Sequence, residues 1–273
     1  MVTHSRPTLS ALLDRSGLAP RRDLGQNFVV DPNTVRRIAE LARVGEGDSV
    51  VEVGAGLGSL TLALAETGAA VTAVEVDRGI VPVLREVTAD ANRVWVVEGD
   101  AMSLDWGSLL EGSTSWTLVA NLPYNIATPL IVDLLNGVPA ISRMLVMVQL
   151  EAAQRFAAGP GSTQYGAVSV RVAHRAHAQI VGKVPASVFL PRPKVESALV
   201  ELVRREAVRT VDEELFDRLL RAGFGQRRKM LRRSLAGLVG EATMAATGVE
   251  PTARPETLSL DEWYALTDAV GSS

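Results

Sequence analysis

The sequence predicts a doubly wound α/β sheet followed by a small α-helical domain. Between Ser49 and Gln149, apolar runs of the length of buried parallel strands recur, and helical patterns lie between several of them. From Asp212 onward the apolar residues recur at helical spacing instead, as Phe216 and Leu219 do. Strands that alternate with helices are typical of an open parallel sheet covered on both faces.

The individual elements are predicted from local signals. Asp31 and Pro32 indicate a first helix over Pro32–Val44, because aspartate is a favoured N-cap and proline is favoured at the first helical position. A second helix is expected to begin near Ser59. The predicted strands are Ser49–Val53, Ala70–Val74, Arg93–Val97, Thr117–Ala120, Arg143–Gln149, Gly166–Ala173, Ala178–Lys183 and Ser197–Val203.

Length and composition predict two domains, residues 1–205 with the sheet and residues 206–273 with helices. The absence of cysteine excludes disulfides, thiolate metal sites and cysteine nucleophiles. Asp14 and Arg15 interrupt the N-terminal stretch, and prolines interrupt the longest charge-free run, so we expect neither a signal peptide nor a membrane span. A cytoplasmic location is the resulting expectation.

The three histidines do not predict a metal site. His174 and His177 have H-x-x-H spacing, but no acidic or cysteine ligand is near them in the sequence, so both are expected on the surface. His4 is expected in a mobile tail. We therefore expect chemistry that needs no metal.

Charge is distributed unevenly along the chain. The formal net charge is −3, yet residues 41–120 hold twelve acidic and four basic residues, whereas residues 221–235 hold six basic residues and no acidic one. The basic run predicts contact with phosphate groups. The alternative is that this run is a solvated helix face.

A glycine-rich segment follows the first predicted strand. Gly54, Gly56 and Gly58 form a G-x-G-x-G pattern preceded by Glu52, and position 59 is serine, so the G-x-G-x-x-G pattern of dinucleotide enzymes is absent. This form suits S-adenosylmethionine (SAM) better than NAD. The alternative is a purely structural turn.

Two carboxylates follow the next two strands. Glu75 ends one strand, where it can accept hydrogen bonds from both ribose hydroxyls of a nucleoside, and Asp100 follows the other, where it can accept a bond from an adenine amino group. Ligands of open α/β sheets bind outside the carboxyl ends of the strands, so the three strand ends are expected to meet at one crevice. Asp77, Asp90 and Asp105 are interpreted as ordinary loop acids.

The segment Asn121-Leu122-Pro123-Tyr124 follows the fourth predicted strand. The Asn121 side-chain oxygen and a nearby backbone carbonyl can accept hydrogen bonds from an exocyclic amine such as adenine N6, and Tyr124 can stack on an extruded base. The alternative is an Asn-Pro turn with a surface tyrosine.

With these motifs the chain resembles the KsgA/RsmA family of small-subunit (16S) rRNA adenine N6-dimethyltransferases over nearly its whole length. Further family-like stretches are Gly25–Phe28 with Asp31, Tyr165-Gly166, Val188–Val195 and Phe224–Leu231. The resemblance implies a class I SAM-dependent methyltransferase fold, with residues 1–30 closing over the cofactor, and a helical rRNA-binding domain.

The resemblance also implies roles for individual residues. The expected cofactor-binding residues are Gln26, Asn27, Val29, Gly54, Gly56, Glu75, Val76, Asp100, Ala101 and Asn121. Asn121, Leu122, Pro123 and Tyr124 are expected to bind the target adenine, with Phe189 opposite Tyr124; the alternative for Phe189 is a core position. The expected RNA-binding residues are Arg221, Arg227, Arg228, Lys229 and Arg232.

The expected activity is methyl transfer from SAM to N6 of two adjacent adenosines in the 3′-terminal hairpin of 16S rRNA, leaving S-adenosylhomocysteine. The expected partner is this rRNA within a small ribosomal subunit or its precursor, and the enzyme is expected to be a monomer. One alternative is an antibiotic-resistance methyltransferase of large-subunit rRNA. A DNA adenine methyltransferase is disfavoured by Leu122, where that class has proline. An NAD-dependent oxidoreductase leaves Asn121–Tyr124 unexplained, and an assembly factor without catalysis leaves the intact cofactor motif unexplained.

Overall fold

Nine strands and twelve α-helices form within residues 4–271, the part of the chain that this computed structural model describes. The strands are β1 (Phe28–Val29), β2 (Ser49–Val53), β3 (Ala70–Glu75), β4 (Val94–Glu98), β5 (Trp116–Asn121), β6 (Ile141–Gln149), β7 (Ala176–Val184), β8 (Phe189–Leu190) and β9 (Ser197–Arg204). The helices are α1 (Arg6–Arg15), α2 (Pro32–Ala42), α3 (Ser59–Ala65), α4 (Ile80–Val87), α5 (Trp106–Leu109), α6 (Ala127–Gly137), α7 (Leu150–Phe156), α8 (Ala167–Arg175), α9 (Glu213–Gly225), α10 (Leu231–Ser234), α11 (Glu241–Ala246) and α12 (Leu260–Gly271). None of the helices within residues 4–271 has the length and apolar character needed to cross a membrane.

The main sheet has seven strands in the order β4-β3-β2-β5-β6-β9-β7. Strands β2 to β6 run parallel to one another, whereas β9 runs antiparallel to β6. The central strand β2 is buried on both faces, which explains why Val50, Val51 and Val53 do not alternate with exposed polar residues. The predicted doubly wound α/β fold is confirmed. The parallel strands end at one edge of the sheet, and β9 begins at that edge.

The described residues divide into two compact units. The first contains residues 4–153 and 179–204, and the second contains residues 154–178 and 205–271. The sequence predicted one boundary near residue 205, but residues 154–178 join the helical unit. They do so because Tyr165 and Val170 pack into its apolar core, and the Tyr165 hydroxyl donates a hydrogen bond to the Leu258 carbonyl.

The first predicted helix, α2, begins where the sequence indicated. Asp31 is its N-cap, and the Asp31 carboxylate accepts hydrogen bonds from the Thr34 N–H at 2.9 Å and the Thr34 hydroxyl at 2.6 Å. The helix ends at Ala42, two residues before the predicted end, because Arg43 adopts a left-handed backbone with φ of 48°. Helix α3 begins at Ser59 as predicted.

The predicted strand Gly166–Ala173 is wrong, because this segment forms α8. The alternation of valines imitates a strand, but the first turn has a local cap: the Gly166 N–H donates to the Ser169 hydroxyl, which donates to the Arg155 carbonyl. Val170 and Val172 are then fully buried. Tertiary burial of one helix face outweighs the β-propensity of these valines.

Residues 6–15 form helix α1, which the sequence did not predict. Leu9 and Leu13 pack in an apolar cluster with Leu57 and Ile80 of the first unit. His4 is buried, and its Nε2 lies 3.0 Å from the Leu57 carbonyl oxygen. The expectation of a mobile tail at His4 is therefore wrong.

His174 also differs from its expected surface position. Its ring is buried in the helical unit, where Nδ1 lies 2.7 Å from the Tyr264 hydroxyl and Nε2 lies 3.1 Å from Glu213 Oε1. Burial lowers the pKa of His174, and Glu213 opposes that shift. His177 is exposed as expected.

Candidate active site

A cleft opens at the edge of the sheet where the parallel strands end. It is lined by segments that follow β2, β3, β4 and β5 and by the segment that precedes β1. Nine of the ten expected cofactor residues line it: Gln26, Asn27, Gly54, Gly56, Glu75, Val76, Asp100, Ala101 and Asn121. Leu122, Pro123 and Tyr124 line it as well.

The glycine turn after β2 brings its backbone close to neighbouring side chains. Gly56 has a φ of 56°, in the left-handed region, and a Cβ at this position would lie 3.1 Å from the Phe28 ring. Its N–H donates a hydrogen bond to Glu75 at 2.8 Å. Glycine at position 56 thus satisfies a backbone angle and a close approach at the same time.

Glu75 is held rigidly at the end of β3. Its carboxylate is 5% exposed and accepts hydrogen bonds from the N–H groups of Gly56, Val76 and Asp77 at 2.8–3.0 Å. Burial raises the pKa of Glu75, and the Asp77 and Gly56 N–H bonds oppose that rise. These donors fix the carboxylate where it lines the cleft.

Asp100 follows β4 and is exposed. Its Oδ1 accepts a hydrogen bond from the Met102 N–H at 2.9 Å. This local bond sets the direction of the carboxylate. Oδ2 has no hydrogen-bond partner within residues 4–271 and can accept one from a ligand.

Asn121 ends β5, and its amide has one fixed orientation. Its Nδ2 donates to the Asn27 carbonyl oxygen at 2.8 Å, and the Asn27 side chain in turn donates to the Gly25 carbonyl oxygen at 2.9 Å. Because Nδ2 is engaged, the Asn121 Oδ1 atom is available as a hydrogen-bond acceptor.

Tyr124 lies at the rim of the cleft and is half-buried. Its hydroxyl is 2.7 Å from the Ser197 hydroxyl at the start of β9. Burial raises the pKa of Tyr124, and the hydrogen bond with Ser197 opposes that rise. The tyrosine is therefore a neutral aromatic side chain with an anchored hydroxyl.

A second, smaller cavity lies beside the cleft and shares Phe28, Gly54, Gly56 and Asn121 with it. Val29, the tenth expected cofactor residue, lines this cavity. The Ser59 hydroxyl, which also lines it, is buried without a hydrogen-bond partner within the described residues. The hydroxyl can therefore donate a hydrogen bond to a ligand or water and accept one from it.

Glu52 lines the same second cavity and is fully buried. Its carboxyl accepts a hydrogen bond from the Thr61 hydroxyl at 2.6 Å. Burial raises the pKa of Glu52 to about 8, with a further contribution from Glu75, so Glu52 is largely protonated at neutral pH.

Phe189 does not occupy its expected place opposite Tyr124. Its ring is 1% exposed and packs in a core cluster that contains Val35 and Ile38, and Phe189 is absent from the cleft lining. The pairing of β8 with β1, which sets Phe189 opposite Val29, directs this residue into the core. The alternative interpretation, a core position, describes this arrangement.

Asp77 holds a side chain of the cleft in place, although the sequence interpretation described Asp77 as an ordinary loop acid. It is 6% exposed, and its Oδ2 accepts a hydrogen bond from the Gln26 amide at 2.7 Å. Its Oδ1 accepts from the Gly79 N–H. No sequence pattern links Gln26 to Asp77 across fifty-one positions, so only the fold reveals this contact.

The expected RNA-binding residues lie in the helical unit. Arg221, Arg228, Lys229 and Arg232 are exposed. Arg227 is half-buried and donates to the Thr163 carbonyl oxygen at 2.8 Å. Arg227, Arg228 and Lys229 lie in the turn between α9 and α10, whereas Arg221 lies in α9 and Arg232 in α10.

Comparison with known proteins places these features in a family. Residues 17–270 match the sequence profile described as Ribosomal RNA adenine dimethylase. The chain is 45% identical over 271 residues to Ribosomal RNA small subunit methyltransferase A of Phenylobacterium zucineum, covering 98% of this chain and 94% of the relative. It is also 45% identical over 286 residues to the protein of the same name from Streptomyces coelicolor, covering 97% and 99%.

Solved structures share the fold. A dimethyladenosine transferase from Plasmodium falciparum superposes with a TM-score of 0.78 at 24% identity, covering 89% of this chain and 96% of the other. The 23S rRNA methyltransferase ErmE gives a TM-score of 0.70 at 26% identity, covering 89% and 99%. With the family match extending over nearly the whole sequence, this chain belongs to the ribosomal RNA adenine dimethylase family.

Proposed function

We propose that this enzyme transfers methyl groups from SAM to N6 of two adjacent adenosines in the 3′-terminal hairpin of 16S rRNA, within a small ribosomal subunit or its precursor. The observation that carries the proposal is the meeting of the glycine turn, Glu75, Asp100 and Asn121 in one cleft. Relatives named for the small ribosomal subunit, at 41–45% identity over most of the chain, support the choice of RNA.

The residues of the two cavities fit SAM. Glu75 supplies a fixed carboxylate for the ribose hydroxyls, and Asp100 has a free oxygen for the adenine amino group. In the second cavity, the unpartnered Ser59 hydroxyl offers a hydrogen bond to the polar amino-acid end of the cofactor. When bound, SAM supplies an electrophilic methyl group on a positively charged sulfur.

Asn121 and Tyr124 fit the target adenine. The free Asn121 Oδ1 accepts a hydrogen bond from N6–H, which lowers the delocalisation of the N6 lone pair into the ring and directs it at the methyl group. Tyr124 offers an aromatic face, and stacking on such a face typically contributes about 1–3 kcal/mol per base, against an extrusion cost of a few kcal/mol.

The enzyme's main contribution is alignment of N6 with the methyl group. Holding two reactants in line can lower a barrier by roughly 7–11 kcal/mol. N6 forms the new bond to carbon as the carbon–sulfur bond breaks, and the alkylated N6 then loses its proton to solvent. In this scheme no protein side chain has to remove a proton before methyl transfer.

The proposal is tested with radiolabelled SAM and small ribosomal subunits that lack adenine dimethylation, followed by mapping of the label. Dimethyladenine at two adjacent positions of the 3′-terminal hairpin, absent with Asn121→Ala, is the expected result. Label confined to large-subunit rRNA would assign the chain to resistance-type methyltransferases. SAM binding with no label in either RNA would favour an assembly factor.

A further inference from the structure

We propose that Ser197 is a positioning residue that fixes the ring of Tyr124 for the target adenine. The inference rests on the proposed function, since it assigns Ser197 a role in the same reaction. Ser197 itself touches no reacting atom in this scheme. Its hydroxyl acts only through the Tyr124 hydroxyl, at a distance of 2.7 Å.

Sheet topology explains why a residue so far along the chain reaches the cleft. Strand β9 runs antiparallel to β6, and its first residue, Ser197, is the register partner of Gln149 at the end of β6. The start of β9 therefore lies at the edge where the parallel strands end. The segment Asn121–Tyr124 lies at the same edge, because the Leu122 N–H donates a hydrogen bond to the Met147 carbonyl oxygen of β6.

Burial makes the contact between Ser197 and Tyr124 well defined. Ser197 is 0% exposed, so its hydroxyl does not exchange freely with water, and its backbone is fixed within the sheet. Tyr124 is half-buried, with the hydroxyl turned inward and the ring lining the cleft. A buried hydroxyl with one partner holds that partner in place, because the alternative is an unsatisfied polar group.

The ring depends on this anchor because Phe189, its expected aromatic partner, does not line the cleft. Phe189, the expected partner across the adenine, lies in the core. A tyrosine side chain has two rotatable bonds. The hydrogen bond to Ser197 fixes the hydroxyl at the end of the ring and therefore restricts rotation about both bonds. Loss of the anchor is expected to leave the stacking face present but misaligned with the methyl donor.

The test is a double-mutant cycle with Ser197→Ala, Tyr124→Phe and the combined variant, assayed on small subunits lacking dimethylation. Each single variant removes one end of the same hydrogen bond, so each is expected to lower kcat about tenfold, with KM for SAM unchanged. The combined variant is expected to be no slower than the slower single variant. Ser142→Ala, at the opposite end of β6, is the matched control and should keep the wild-type kcat.

Thermal unfolding and SAM affinity are measured for every variant, so that a folding defect is separated from loss of positioning. A folded Ser197→Ala enzyme with wild-type kcat would overturn the inference. So would effects of the two single substitutions that multiply in the combined variant, because they would then be independent. If the wild-type enzyme leaves the hairpin unlabelled, the proposed function fails instead.

Discussion

At the residue scale, the proposed placement of the target adenine depends on the side-chain amide of Asn121. Its Nδ2 donates to the Asn27 carbonyl, and in the proposed function its Oδ1 accepts a hydrogen bond from the substrate. Alanine removes both the acceptor and the tie to Asn27. We expect Asn121→Ala to lower kcat about 100-fold, the magnitude typical of losing one fixed polar contact to the transition state. Single-turnover methylation of the 3′-terminal hairpin measures this effect.

The neighbouring Asn125 offers a matched control for that experiment. Asn125 is exposed and lies outside the cleft lining. Asn125→Ala is expected to stay within about twofold of the wild-type rate, since substitutions of exposed residues outside a binding site have small effects. An Asn121→Ala enzyme that retains more than about a tenth of the wild-type rate would show that Oδ1 does not act on N6.

A second prediction at this scale concerns Glu52 and pH. The pKa of Glu52 is raised to about 8 in the folded protein from 4.5, so the folded state binds a proton that the unfolded state loses. The stability from this protonated group is complete below pH 4.5 and is lost as the pH rises toward 8. Glu52→Gln keeps an acceptor for Thr61 and cannot ionise. The difference in free energy of unfolding, variant minus wild type, is expected to be more favourable to the variant at pH 8.5 than at pH 5. The change in this difference is on the order of a few kcal/mol.

Urea unfolding without cofactor at the two pH values measures the Glu52 effect. Glu46→Gln, at an exposed glutamate, is the control for loss of one negative charge. The prediction is contradicted if Glu52→Gln changes the free energy of unfolding by the same amount as Glu46→Gln does, at pH 5 and at pH 8.5 alike.

At the element scale, the sequence predicted the elements that have a continuous apolar pattern or a cap. The bounds of strand β2 and the start of α2 were predicted to the residue, since Val50 and Val51 are both buried and Asp31 caps the helix through a local hydrogen bond. Helix α8 was predicted as a strand because its valines alternate, and the burial of Val170 in the core of the helical unit has no local sequence signal. Helix α1 was missed because only two of its leucines, Leu9 and Leu13, are buried.

In the candidate active site, too, local sequence patterns predicted some residues but not the contacts between distant segments. Residues that end strands, such as Glu75 and Asn121, were predictable because strand order fixes where they meet. Contacts such as Gln26 with Asp77 and Tyr124 with Ser197 join segments distant in sequence, and no local spacing encodes them. Phe189 was misplaced because the register of β8 with β1 decides its direction, and a two-residue strand has no detectable period.

The packing of α1 against the glycine turn gives a prediction for this element. Leu9 is 1% exposed, belongs to the cluster that contains Phe28 and Leu57, and lines the second cavity. We expect Leu9→Ala to lower the free energy of unfolding by about 2–5 kcal/mol. It should also weaken SAM binding, because the wall of the cavity loses its packing. Chemical denaturation and calorimetry measure the two effects.

Thr8→Ala is the matched control in the same helix, since Thr8 is exposed. It is expected to change stability by less than about 0.5 kcal/mol. A Leu9→Ala protein that is destabilised but binds SAM with wild-type affinity would show that α1 supports the fold and not the cofactor site.

At the scale of the whole molecule, the two units differ in the sign of their net charge. The helical unit has thirteen basic and eleven acidic residues, whereas the sheet unit has fifteen basic and twenty acidic residues. The excess of positive charge in the helical unit is concentrated at residues 221–235. An RNA backbone would therefore be attracted to one unit of a protein whose net charge is negative.

This division predicts that removing cations from the helical unit weakens RNA binding and leaves SAM binding intact. Arg228, Lys229 and Arg232 are exposed, and replacing all three by glutamine removes up to three phosphate contacts. Each lost contact should reduce the slope of log affinity against log salt by about 0.7–0.9. The control replaces the exposed Arg85, Arg93 and Lys183 of the sheet unit and lowers the net charge equally. Salt slopes that fall equally in both variants would attribute RNA binding to net charge rather than to these three cations of the helical unit.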